Sequence, residues 1–427
     1  MKYNISDNSE YSYASIVDTQ AQTVISYISA DIHEGQTARS RAVELLYTDM
    51  LISGAGKYTR VEFLDAINSL GATVTASISD GIFTLFVRGS SLTFKKVLPL
   101  VETMIREPHF DKQELKRVKQ TVINLLNESK ENTRAIAHEQ LRNTFYGTQD
   151  RRYTFKEESL IAEIATVTSK DLKTLHKKII SQKWTCSAAS NSLAIAALKK
   201  SIQKMHSKDT TSSLFPIHQQ TPPRPGITLT EIKSKQNIDF SIGAPVPITL
   251  HHPEYVALRF ALEILGGHGF ASRLLSTVRE KEGLTYGIYS TAETFMNEEQ
   301  GYWRIASFFS PDKSLQGLTS TFREIKKLYK NGITKEELAR QKTFHHTKQA
   351  LIGDSTSRRL NELHTYHLQK FSLEEISEHK QMALKITVEE VNTAIAHYLD
   401  PTLLTVSAAG PVGTVRKELQ TFMKTVA

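Results

Sequence analysis

Ser272-Arg-Leu-Leu-Ser-Thr-Val-Arg279-Glu-Lys-Glu-Gly283-Leu-Thr-Tyr286-Gly-Ile-Tyr-Ser290 is the stretch that organises the rest of the sequence. It reads as a helix with one apolar face, a glycine turn and the start of a strand. Arg279 and Tyr286 stand seven residues apart across that turn. A guanidinium is permanently charged and a phenol is a strong donor, so such a pair can present a cation and a hydroxyl to one developing oxyanion. Taken alone, an Arg and a Tyr beside a turn are ordinary structural or solvated residues. The surrounding sequence has to decide.

The stretch recurs. Leu70-Gly71-Ala-Thr-Val-Thr-Ala-Ser-Ile-Ser lies over Glu282-Gly283-Leu-Thr-Tyr-Gly-Ile-Tyr-Ser, and Asp111-x-x-Glu114-Leu115 lies over Thr334-x-x-Glu337-Leu338. Farther on, Thr168-x-x-Asp171-Leu172 lies over Thr387-x-x-Glu390-Val391, and Ser187-Ala188-Ala189 over Ser407-Ala408-Ala409. Four matches in one order, at offsets between 212 and 223 residues, mark a duplication. Between the copies, Ser207-Lys-Asp-Thr-Thr-Ser-Ser and Thr221-Pro-Pro-Arg-Pro-Gly226 resist regular structure. The expected organisation is a domain over 1–206, a linker over 207–226 and a second domain over 227–427.

Within the first copy, residues 1–20 read as polar and peripheral, and residues 24–32 as the first strand. Ala42, Leu45, Leu46 and Met50 suit a helix facing a core, and a second helix over 60–70 ends at Gly71, a good left-handed cap. Residues 74–78 and 82–87 form a hairpin about Asp80-Gly81. Phe94, Val97, Leu98, Val101, Met104 and Ile105 share one helical face, which Pro99 is expected to kink or to start. Asp111 and Glu114 read as a capping box before a long helix running to about Asn132. Strands and hairpins alternating with long amphipathic helices give an α+β class.

Composition excludes several classes. With 427 residues, 40% hydrophobic and 23% charged, the chain is an ordinary globular protein too long for one core. The net charge of +8 is scattered over helices instead of gathered in a basic tract with aromatics, which argues against nucleic acid. No run approaches the roughly 18 apolar residues of a membrane span, and the N-terminus lacks a basic and apolar leader pattern. The expected location is cytoplasmic, or periplasmic or secreted if a signal peptide has been removed. The single cysteine, Cys186, cannot form an intramolecular disulfide and reads as a small hydrophobe in a half-buried strand.

These motifs together resemble the pitrilysin-like or insulinase-like zinc metallopeptidases, the inverzincins, and most closely their short bacterial members related to mitochondrial processing peptidase. Gly266-Gly267-x-Gly269-x-x-Ser272-Arg273-Leu274 with Val278-Arg279-Glu280-Lys281-x-Gly283-Leu284-x-Tyr286 is similar to the C-terminal signature of that family. Asp49-Met50-Leu51 through Gly54, Leu70-Gly71-Ala72 and Phe110-Asp111-x-x-Glu114-Leu115-x-Arg117 match the scaffold around its metal site. The resemblance implies two homologous domains, each a mixed, mostly antiparallel sheet layered with helices, together forming half of a clamshell.

Active members carry H-x-x-E-H on the first helix, two histidines binding zinc and a glutamate polarising water. Aligned on Met50-Leu51, that pentad is here Leu45-Leu46-Tyr47-Thr48-Asp49. Leu45 and Asp49 stand for the histidines and Thr48 for the general base, while Val118 stands for a glutamate that supports the family's zinc ligands and Leu125 for its ligand glutamate. No metal ligand is expected in this chain.

Other histidines are weak substitutes. His364 and His367 could share a helical face but lack a third ligand and read as polar helix positions. His345 and His346 point about 100° apart on a helix. His251-His252 read as loop residues, and Gly266-Gly267-His268-Gly269 as a helix-to-helix turn, not a phosphate loop.

In the resembled family, zinc lies in one half of the clamshell and the Arg and Tyr come from the other. The resemblance therefore implies a non-metal subunit that supplies Arg279 and Tyr286 to an H-x-x-E-H-bearing homologue, with zinc in that partner and an unfolded peptide as substrate. A catalytically inert scaffold or peptide-binding protein of the same fold is the alternative.

Overall fold

The computed structural model describes residues 2–33, 36–206, 220–222, 224–267, 271–296 and 299–426. Most of the expected linker, and Gly269 of the signature, lie outside them. The first half of the sequence forms β1 (Lys2–Asp7), β2 (Tyr11–Val17), β3 (Thr23–Asp31), α1 (Ala38–Leu51), α2 (Arg60–Ser69), β4 (Thr73–Ser79), β5 (Ile82–Ser90), α3 (Phe94–Arg106), α4 (Lys112–Ser129), α5 (Thr133–Phe145), α6 (Glu157–Thr166), α7 (Ser169–Ser181), β6 (Trp184–Ser190) and α8 (Ser192–Met205). The second forms β7 (Gly226–Glu231), β8 (Ile238–Pro245), α9 (Tyr255–Leu262), β9 (Ile288–Glu293), β10 (Tyr302–Phe309), α10 (Ser314–Asn331), α11 (Lys335–Gly353), α12 (Thr356–Leu368), α13 (Leu373–Lys385), α14 (Val388–Tyr398), β11 (Thr405–Gly410) and α15 (Arg416–Val426).

The fold is α+β with two sheets of matching topology. Their orders are β1-β2-β6-β3-β5-β4 and β7-β11-β8-β10-β9. Without β1, each strand of one has a counterpart in the other. The β2–β6 and β7–β11 pairs are parallel, and every other pair is antiparallel.

Local chemistry explains the repeated landmarks. Gly71 and Gly283 both have left-handed φ, 63° and 60°, closing a helical segment before an edge strand. Thr168 with Asp171 and Thr387 with Glu390 both make reciprocal capping boxes, at the starts of α7 and α14. Asp80 and Gly81 both have positive φ at the β4–β5 turn, the geometry of a type I′ hairpin. The apolar face of α3 is fully buried, and its helix runs on through Pro99. Each such large side chain contributes about 1.5–3 kcal/mol of burial.

Three local expectations need correction. Residues 1–20 are not peripheral, because β2 buries Tyr11, Tyr13, Ala14 and Ile16 and pairs with β6, making residues 23–31 the third strand. At Asp111 only one arm of the box forms: its carboxylate accepts from the Gln113 and Glu114 amides, whereas the Glu114 carboxylate turns to Arg117 at 2.7 Å. The long helix stops at Ser129, and Asn132 caps the next one by accepting from the Ala135 amide.

The chain divides into two compact units, Met1–Asn127 with Phe155–Pro216 and Leu351–Ile376, and Glu128–Thr154 with Ile217–Ala350 and Ser377–Ala427. Each unit borrows one helix from the other half of the sequence. In the second unit α5 covers β8 and β11, with Thr133 donating to Asp239 at 2.6 Å and His138 meeting the Glu293 carboxylate at 2.8 Å.

In the first unit α12 covers β2, β3 and β6. His364 and His367, expected only as polar helix positions, lie on its covered face and are buried. His364 bonds Ser29 and Ser187, each at 3.0 Å, and His367 bonds Ser12 at 2.6 Å and Ser187 at 3.3 Å. Cys186 is fully buried beneath, and burial pushes its thiol pKa up. Among the described residues, no helix is long and apolar enough to cross a membrane.

Candidate functional site

The signature stretch begins on a π-helical segment, Leu275–Lys281, in which Leu275 and Val278 are buried and Arg279 lies toward the surface. Leu275 and Val278 anchor it in the core of the second unit. Gly266 lies in the π-helical turn Glu263–Gly267 that follows α9, and any side chain there would meet the Ser290 backbone nitrogen at 2.7 Å. The glycine is therefore what lets this helix lie against β9.

After Lys281 the backbone closes tightly, with the Gly283 amide donating to the Arg279 carbonyl at 3.0 Å and the Leu284 amide to Val278 at 3.0 Å. Thr285 is buried and exchanges hydrogen bonds with Gly287, whose carbonyl also accepts from Ser307 at 3.1 Å. Lys313 donates to the Gly283 carbonyl at 3.3 Å. The loop before β9 is thus tied down on both sides of Tyr286.

On that platform the guanidinium carbon of Arg279 stands 4.6 Å from the ring centroid of Tyr286. The ring face attracts the cation and orients both groups. Tyr286 is 75% exposed and lines a shallow depression of about 200 Å³ with Leu284, Ser310 and Lys313. Arg279 also approaches the Glu280 carboxylate at 3.6 Å. The arrangement places an exposed phenol beside a partly buried guanidinium and includes no nucleophile.

The positions that would hold a metal lie elsewhere, in the first unit. On α1, Leu45 is half-buried against the core, Thr48 is half-buried and Asp49 is exposed. On α4, Val118 is buried at 1% exposure and Leu125 is 57% exposed. Of the five, only Asp49 offers a carboxylate and none an imidazole, and one exposed carboxylate beside two leucines, a valine and a threonine falls short of the three protein ligands zinc needs, so these residues do not fit zinc. Among the described residues, no group of three or more His, Cys, Asp or Glu could hold a metal ion.

In the middle of the altered pentad sits a different device that the sequence did not reveal. The Tyr47 hydroxyl meets His176 Nδ1 at 2.8 Å, and His176 Nε2 meets the Ile105 carbonyl at 2.8 Å. A carbonyl only accepts, so Nε2 carries the proton and Nδ1 accepts from the phenol. Burial lowers the His176 pKa to about 4 and raises that of Tyr47, keeping both neutral. The helix that carries zinc ligands in active relatives is here bolted to α3 and α7. The two partners are 129 residues apart, beyond the reach of any local motif.

The fold and these landmarks define an insulinase-type chain. The insulinase family (peptidase family M16) matches residues 20–157, the peptidase M16 inactive domain matches residues 166–344, and the chain belongs to this family. An uncharacterized zinc protease of Mycobacterium tuberculosis is 28% identical over 161 residues, covering 37% of this chain and 36% of that protein. The non-peptidase homolog YmxG of Helicobacter pylori is 28% identical over 157 residues, 32% of this chain and 34% of that one. The matched segments thus span about a third of these curated relatives. A solved peptidase M16 inactive domain from Pseudomonas fluorescens has the same fold, with a TM-score of 0.84 at 21% identity over 96% of this chain and 98% of that chain.

Proposed function

We propose that the chain is the non-metal subunit of a heterodimeric zinc metallopeptidase. The observation that carries this reading is the coexistence of a stacked Arg279–Tyr286 pair, its phenol exposed, with leucine, threonine, aspartate and valine at the positions for zinc chemistry. A homologous subunit bearing H-x-x-E-H would bind zinc, and its glutamate would activate the water that attacks a peptide carbonyl. Arg279 and Tyr286 would donate to the resulting oxyanion, a role suited to a fixed cation and a phenol. An unfolded peptide could also be held by adding its extended backbone to a sheet edge.

The second reading, an inert scaffold or peptide-binding protein of the same fold, is favoured by the likeness to a relative described as a non-peptidase homolog. Co-purification from the native host, followed by an assay of each isolated chain and the mixture on an unfolded peptide, separates the two. The first reading expects cleavage only from the mixture. A stable complex without an H-x-x-E-H chain, inactive on all peptides, supports the scaffold.

A further inference from the structure

The duplicated halves provide an internal comparison. In the first unit α6 packs along α1, and Arg39 joins them by reaching Glu163 at 3.6 Å and Asp171 of α7 at 2.9 Å. The corresponding helices of the second half are α13, α9 and α14. There α14 packs on α9 as α7 does on α1. α13 meets α9 at the stacked rings of Tyr255 and His379, whose centroids are 6.1 Å apart, and packs less closely on it than α6 does on α1.

The gap is a groove of about 530 Å³ within the second unit, inside the range of about 300–1,000 Å³ usual for ligand sites. Val256, Ala257 and Ile386 make an apolar floor, and Met382 projects into it while remaining 41% exposed. Glu378, Glu254, which is held by His397 at 3.0 Å and by the Tyr398 hydroxyl, and Glu390, whose carboxylate also caps α14, stand on the rim with one ammonium, Lys385. Three carboxylates against one cation leave two negative charges, on a chain whose net charge is +8.

We propose that this groove docks an amphipathic helical peptide segment of a partner protein, with an apolar face flanked by lysine or arginine. A groove between two helices, floored by apolar groups and a flexible methionine, accepts the anchors of a third helix. The acidic rim selects the charge of the incoming segment and speeds its approach. The site is in the second unit, apart from Arg279, and stands whether or not the chain pairs with a zinc subunit.

The test is fluorescence anisotropy of a labelled, N-acetylated Leu/Lys amphipathic peptide titrated with the full chain. Control peptides replace every Leu by Gln or every Lys by Glu. The Leu/Lys peptide is expected to bind saturably, and both controls to bind far more weakly. Met382→Lys and Glu378→Lys, at exposed positions, should each weaken binding roughly tenfold or more without lowering the melting temperature. Equal binding by the variants, or by the Gln control, would overturn the proposal. So would a chain that dimerises through Met382 while its peptide affinity is unaffected, since the occupant would then be a second copy.

Discussion

The guanidinium of Arg279 lies over the ring of Tyr286, 4.6 Å from its centroid, although the two residues flank a glycine turn. The contact joins the end of a π-helical segment to a loop fastened by Thr285, Gly287 and Ser307. Because Tyr286 is mostly solvent-exposed, the chain's own core gains little from it. Under the proposed function, the pair would serve as a preorganised donor set held by the surrounding scaffold.

That scaffold depends on Gly266. A Cβ there would stand 2.7 Å from the Ser290 amide nitrogen and 2.8 Å from its hydroxyl oxygen. Gly266→Ala should therefore destabilise by about 1–3 kcal/mol, the usual cost of overpacking. Chemical denaturation checks this, and in a reconstituted pair the same variant should lower kcat more than it raises KM.

Zinc content gives a second prediction. With Leu45, Thr48, Asp49, Val118 and Leu125 at the metal-site positions, the isolated chain should carry well under one equivalent of zinc by elemental mass spectrometry. EDTA should leave its melting temperature unchanged. A stoichiometric metal would contradict the chemistry of these side chains.

Tyr47→Phe removes the donor to His176 Nδ1 and leaves a buried acceptor unsatisfied. The expected loss is about 1–3 kcal/mol, measured by urea denaturation. His176→Ala should cost more, because it also abandons the Ile105 carbonyl.

Acid should loosen the first unit through its buried histidines. Burial lowers His364 to about 3 and both His367 and His176 to about 4. The native state then binds fewer protons than the unfolded chain, whose imidazoles titrate near pH 6.5. Stability is intact above about that pH and falls below it, with the loss continuing until the native pKa values are passed. Between pH 7 and 5 the loss should reach up to about 2 kcal/mol per histidine. Replacing His364 and His367 together by glutamine should flatten the pH dependence of the urea midpoint.

The duplication was legible because its marks are local: Gly71 and Gly283 as left-handed caps, and Thr168 and Thr387 each within three residues of their carboxylate partners. The Arg279–Tyr286 pair was legible for the same reason, with one short turn between its members. β2 was missed because Ser12 and Ser15 make its sequence look solvated, while in the fold Ser12 bonds His367 and Ser15 is buried. His364 and His367 read only as polar helix positions because their serine partners are 177 to 355 residues away. The same separation hides Tyr47 and His176, and only the packing of α1 against α3 and α7 reveals why the altered pentad has a tyrosine at its centre.

The most direct measurement is kcat/KM of the chain reconstituted with its H-x-x-E-H partner, compared with Arg279→Ala and Tyr286→Phe. Each loss of a preorganised donor should lower kcat/KM by about 10²–10³, with partner affinity and melting temperature unchanged. Unaltered kcat/KM in both variants would contradict the account and leave the pair a surface feature of an inert scaffold.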